Sequence, residues 1–178
     1  MLVITKKTKR NYFSRAFSLV EMVVYVALMT MLLLLIVDVV LVLGRSYKDI
    51  KANNAIMSSA IFSLDRMVRE IRNAKSIDNT GSVFGTSPGS LKLNTTDDSG
   101  NARTVQFYVQ NGILEDKENG VYIGPLTLSG ATVSNLVFRQ INNLKSQAVK
   151  VEITVMSGVA PNLHSTNFFT TVVMRNSY

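Results

Sequence analysis

Two periodicities divide the chain. From Phe17 to Leu43, "FSLVEMVVYVALMTMLLLLIVDVVLVL", the residues are apolar almost without a break, and only Glu21 and Asp38 carry charge. A helix needs about 20 apolar residues to cross a bilayer core, so this run predicts a membrane-spanning helix. The helical pattern then continues. Ile50, Met57, Ile61, Leu64, Val68 and Ile71 recur at spacings of 7, 4, 3, 4 and 3, which predicts an amphipathic extension to about Lys75. This stripe reads as the face that packs on the domain's own sheet. Asp65 with Arg69 and Arg66 with Glu70 lie away from it as i,i+4 pairs.

Glycine, proline and serine in "SIDNTGSVFGTSPGS" end the helix, and the period then changes. "TVQFYVQNGILED" carries two short apolar runs about an Asn-Gly pair, a hairpin signal. "ATVSNLVFRQI", "AVKVEITVM" and "FFTTVVMR" alternate as antiparallel strands do, and the last two are rich in β-branched or aromatic residues. The expected class is α+β: a long N-terminal helix, half transmembrane and half amphipathic, packed on an antiparallel β-sheet.

Composition sharpens this division. The chain has 178 residues, 47% hydrophobic and only 17% charged, and much of that skew lies in the apolar run. Three segments follow: a basic leader over 1–16, the apolar helix over 17–44, and one domain over 45–178. The net charge of +7 looks like a nucleic-acid footprint, but its distribution argues otherwise. Lys6, Lys7, Lys9, Arg10 and Arg15 stand in the leader with no acid, which leaves 14 basic against 12 acidic residues for the rest. No basic, aromatic face is evident on the domain, so no nucleic-acid partner is expected. A basic flank before an apolar span holds the N-terminus in the cytoplasm and places the domain outside, although Arg45, Lys48 and Lys51 compete for the same side. With no cysteine, there is no disulfide, thiolate metal site or thiol nucleophile.

The apolar run is too long for an ordinary secretory signal, and "VLVLGRS" offers no small-x-small cleavage site. A plain anchor fits the length but gives no reason for Glu21, because an acid among lipids costs roughly 2.5 to 3.5 kcal/mol on insertion scales. Glu21 is either an acid with a partner or an interfacial acid that reaches headgroups, since it lies only about 6 Å along the helix from Phe17.

A basic leader, the small residue Ala16 and then "FSLVE" opening the helix resemble the type IV pilin-like family, whose pattern is glycine followed by Phe-Thr-Leu-Ile-Glu. The resemblance implies that a membrane prepilin peptidase cuts between Ala16 and Phe17 and methylates the new amine of Phe17. It implies too that Glu21 pairs with the N-terminal amine of a neighbouring subunit, and that assembly is driven by an inner-membrane platform and its ATPase. Alanine at position 16, where the family prefers glycine, is a departure that bears on the rate of cleavage. Glu21 stands four residues after Phe17, one turn along the same face, so pairing would act as a register pin. More weakly, "NGIL", "NLVFR" and "AVKVEITV" are similar to strand phrases of the J-type pseudopilins and related minor pilins, which favours a minor subunit.

The other candidates for chemistry are few. Asp38 lies about 31 Å of helix beyond Phe17 and reads as an acid at the outer interface. His164, the only histidine, sits in "APNLHSTN" and reads as a surface or hairpin-loop residue. Asp97 and Asp98 in "TTDDSGN" read as turn formers rather than calcium ligands, because the EF-hand spacing is absent. There is no phosphate loop or HExxH motif, so neither a cofactor nor an enzymatic activity is expected. Two function classes remain. One is a processed minor pilin or pseudopilin that packs by its helix into a fibre or tip complex of a pilus, type II secretion or DNA-uptake machine. The other is an extracytoplasmic binding module on an uncleaved bitopic anchor.

Overall fold

The computed structural model describes residues 18–175 apart from Asp98, Leu144, Lys145, Val159 and Pro161. The expected cleavage site and the basic leader therefore lie outside the described residues. One helix, α1 (Leu19–Asn73), is followed by eight strands: β1 (Ser76–Ile77), β2 (Leu91–Thr96), β3 (Ala102–Gln110), β4 (Ile113–Glu118), β5 (Val121–Pro125), β6 (Ala131–Asn143), β7 (Ser146–Ser157) and β8 (His164–Val173). The chain divides into two compact units, residues 1–44 and residues 45–178.

In the first unit the described residues are exposed along the whole helix. The second unit carries its own core. The part of α1 that belongs to it buries Ile56, Ser59, Ala60, Ser63, Met67, Glu70 and Ile71, a stripe at spacings of 3 and 4. The predicted period is right and the predicted face is right only in part, since Leu64, Val68 and Ile71 pack on the core and the other three do not. Ile50, Met57 and Ile61 are exposed, Leu64 and Val68 are half-buried, and of the expected stripe only Ile71 is fully buried. The face that packs mixes small residues, Ser59, Ala60 and Ser63, with the large Ile56, Met67 and Ile71. Alanine and serine let the helix backbone come close, and large side chains from the strands, among them Leu91, Leu93, Phe107 and Phe138, fill the space.

The strands form two antiparallel sheets rather than the single sheet expected, a five-stranded one in the order β1-β2-β3-β4-β5 and a three-stranded one in the order β6-β7-β8. Alternation shows that strands exist and which face is buried, but it carries no information about where a ladder stops. Here the ladder stops at the segment between β5 and β6, whose backbone bonds to α1. The Ser63 hydroxyl donates to the Leu126 carbonyl at 3.0 Å, and the Ser59 hydroxyl accepts from the Leu128 amide at 3.0 Å. Two serines one turn apart thus satisfy peptide groups that no strand reaches.

The expected hairpin is present: β3 and β4 pair in register through Gln110 and Ile113 about Asn111 and Gly112. Both turn residues have positive φ, 52° and 76°, which two-residue hairpins of this type require. A second Asn-Gly pair, Asn119 and Gly120, joins β4 to β5 in the same way, with φ of 50° and 81°. Inward positions alternate along β7, where Val149, Val151, Ile153 and Val155 are buried while Lys150, Glu152 and Thr154 face outward.

Candidate functional site

The first candidate is the start of α1. Ser18 precedes the helix, its carbonyl accepts the Met22 amide at 3.1 Å, and Glu21 is the third helical residue. Ser-x-x-Glu is the sequence form of a capping box, and an acid in the first turn faces the positive end of the helix dipole. Glu21 accepts a hydrogen bond from the Tyr25 hydroxyl at 3.2 Å, one turn further on. The carboxylate therefore has a local reason for its place, worth typically 0.3 to 1 kcal/mol, beside any contact with another chain. That signal lay in "SLVE" and was legible. Beyond it the helix is long and apolar enough to cross a membrane, and its most apolar window is wholly unburied. Asp38 is exposed within this stretch. Ala16, Phe17, Lys6, Lys7, Lys9, Arg10 and Arg15 lie outside the described residues.

Within the second unit the charged side chains gather where the sequence reading placed only a surface pair. Arg66 reaches Glu70 at 2.9 Å and Glu118 at 2.7 Å, and Asp116 more distantly at 3.5 Å. Arg103 on β3 reaches Glu70 at 2.8 Å and Glu118 at 3.0 Å. Glu70 and Asp116 are buried. Arg66 with Glu70 is thus part of a partly buried network that ties α1 to β3 and β4, which corrects its reading as an isolated helix pair. Two guanidinium groups face three carboxylates. Burial pushes the Asp116 carboxyl above its ordinary value, and the nearby Arg66 opposes that shift. The acid-rich strand "LEDKE" shows where carboxylates cluster, but nothing local names their basic partners.

Other polar groups have structural partners. His164 opens β8 and lies 3.1 Å from Asp49 of α1, so it bridges helix and strand rather than standing in a free loop. Asp97 accepts from the Ser99 and Asn101 amides at 3.0 and 2.7 Å, which holds it in the expected turn and keeps its carboxyl below the usual range, the Asn101 contacts being the main cause. Asp98 lies outside the described residues. Asp78 accepts from Thr80 and Gly81 and pairs with Lys92 at 3.0 Å, contacts that hold its carboxyl well below the carboxylate range. The Tyr108 hydroxyl is pushed up to about 12, first by burial and then by its 2.6 Å hydrogen bond to Glu115. Among the described residues no group of three or more metal-ligating side chains converges.

An exposed apolar helix continuing into an α+β domain of two antiparallel sheets defines a pilin-like fold. No protein-family model matches the chain, and no curated protein matches it. Among solved structures it is similar to a type IV-like pilin from Thermus thermophilus, with a TM-score of 0.56 and 8% identity. The likeness covers 68% of this chain and 97% of that one, and at this identity it is a likeness of fold.

Proposed function

We propose that the chain is a minor pilin or pseudopilin, a structural subunit of a type IV pilus, type II secretion or DNA-uptake fibre. The observation that carries this reading is the exposed apolar helix, with one acid in its first turn, at the head of a pilin-like fold. Such a helix has no cover among the described residues, and either lipid or the helices of neighbouring subunits supply one.

In this reading a prepilin peptidase cuts between Ala16 and Phe17 and methylates the Phe17 amine, while Lys6, Lys7, Lys9, Arg10 and Arg15 keep the leader on the cytoplasmic side. The subunit waits in the inner membrane as a single-pass protein with residues 45–178 outside. A platform and its ATPase then draw it into the fibre. Glu21 would meet the amine of a neighbour, and the desolvation cost of a buried carboxylate disfavours packings in which no amine reaches it. Capping and pairing are compatible, because an ionised carboxylate accepts more than one hydrogen bond.

The test is the intact mass and N-terminal residue of the protein recovered from membranes of cells that contain their prepilin peptidase. A chain that begins at N-methylated Phe17 is the expected result. A chain that still begins at Met1 would overturn processing and favour a binding module on an uncleaved anchor.

A further inference from the structure

The strand edges of the domain are unequally protected. Edge strands offer unpaired peptide groups to other chains, and proteins blunt them with short length, proline, charge, bulges or a covering loop. β1 has only two residues. β5 has five, ends in Pro125, and pairs with β4 across a register shift at Asp116 and Lys117. The free side of β6 is covered by the loop between β1 and β2, where the Gly85 and Gly89 amides donate to the Phe138 and Leu136 carbonyls at 2.9 and 2.8 Å. Among the described residues, β8 shows none of these devices. It runs regularly for ten residues, "HSTNFFTTVV", with no proline, glycine, lysine, arginine or carboxylate, and its only strand neighbour among the described residues is β7.

We infer that β8 is a pairing edge for a second copy of this chain, which joins antiparallel with Phe169 opposite its twin. Phe169 is 76% exposed, more than any other large apolar side chain described in residues 45–178. Residues opposite each other in an antiparallel pair share a face, so a two-fold pairing must centre on a residue and its copy. Phe168 faces inward and packs against the core already, and of the outward residues of β8 Phe169 is the one whose pairing with its twin covers the most exposed apolar side chain. Asn167 then meets Thr171, and Ser165 meets Val173.

Charge agrees with this occupant. On the outer face Phe169 neighbours Glu152, and Thr171 neighbours Lys150. Glu152 is already compensated within its own chain by Lys150 at 2.7 Å and Arg139 at 3.3 Å, contacts that hold its carboxyl below the usual range. In the pair the two Glu152 positions stand three strand spacings apart, about 14 Å, beyond the roughly 8 to 10 Å over which exposed charges interact in salt. A neutral strand against its own copy brings no like charges together, and two phenylalanines directly opposite are a favourable cross-strand pair.

The experiment uses the full chain in detergent micelles and exploits its lack of cysteine. Phe169→Cys should form a disulfide-linked dimer on mild oxidation, because directly opposed strand positions lie within disulfide reach. Thr171→Cys should not, because its twin would lie about 13 Å along the strand. In a cysteine-free comparison, Phe169→Lys should weaken self-association, measured by sedimentation, by about tenfold or more relative to the parent. Equal cross-linking at both positions, none at position 169, a parent that is monomeric, or a dimer that survives Phe169→Lys would each overturn the proposal. The last result would place self-association on another surface, such as the apolar helix.

Discussion

Arg103 Nη2 lies 2.8 Å from Glu70 Oε2, an ion pair between the third strand and the single helix across 33 positions of sequence. It is the contact through which the two elements hold the charge network together, since Glu70 binds Arg66 with its other oxygen.

Removing Arg103 leaves three carboxylates, Glu70, Asp116 and Glu118, facing the one guanidinium of Arg66 in a partly buried site. Arg103→Leu is expected to destabilise the protein by about 3 kcal/mol, because an uncompensated buried charge is costly. Arg69→Ala, which deletes an exposed pair with Asp65, should cost less than about 0.5 kcal/mol. Urea unfolding of both variants checks the contrast, and equal losses would mean that the network contributes no more than a surface pair.

The packed face of α1 can be tested with two methionines. Met67 is fully buried and Met57 is half-exposed. Met67→Ala should cost about 2 to 5 kcal/mol through its cavity, whereas Met57→Ala should stay within about 0.5 kcal/mol. A larger loss at Met57 than at Met67 in thermal unfolding would restore the face read from the sequence.

Ser63 holds the segment that separates the sheets. Ser63→Ala leaves the Leu126 carbonyl without this donor and should cost about 1 to 2 kcal/mol. Ser63→Val, which adds volume where the helix comes close to that segment, should cost more. Hydrogen exchange at Leu126 and Leu128 should speed up in both variants, and unchanged exchange would count against the tether.

Two acids should shape the pH dependence in opposite directions. Asp78 has a lowered value in the folded state, so its contribution is complete above the ordinary carboxylate range and is lost as pH falls through the folded value. Asp116 has a raised value, so its contribution is complete below the ordinary range and is lost as pH rises through the folded value. The deficit of Asp78→Asn relative to the parent should therefore shrink on acidification. Asp116→Asn should gain on the parent as pH rises through the raised value. Urea midpoints across a pH series give both curves, and parallel curves would refute the assigned shifts.

Glu21 separates capping from pairing. Glu21→Gln keeps a side chain able to complete a capping box but loses the charge, and Glu21→Leu loses both. If the chain is a processed pilin-like subunit, as proposed, and pairing with an amine governs its assembly, both variants should incorporate poorly into a fibre, while the domain stays folded and cleavage is unaffected. Normal incorporation of Glu21→Gln would leave the carboxylate with its helix-start role alone.

What the sequence determined by itself follows from local chemistry. The apolar run from Phe17 to Leu43 has the length and apolarity of a membrane-crossing helix, and the Asn-Gly pair at 111 and 112 can turn a chain at positive φ where few other residues do. Period-two alternation marked β6, β7 and β8 because successive side chains in a strand point to opposite faces. Tertiary structure decided which of two apolar stripes on α1 is buried. The buried one includes Ser59, Ala60 and Ser63, which let the helix approach the strands, and hydrophobicity alone selects the larger Met57 and Ile61 instead. It also decided where one sheet ends and the next begins, since Ser59 and Ser63 take up peptide groups that a ladder would otherwise pair. The Arg66, Glu70, Arg103, Asp116 and Glu118 network exists only because folding brings residues distant in sequence within bonding reach, and no local pattern encodes such an approach.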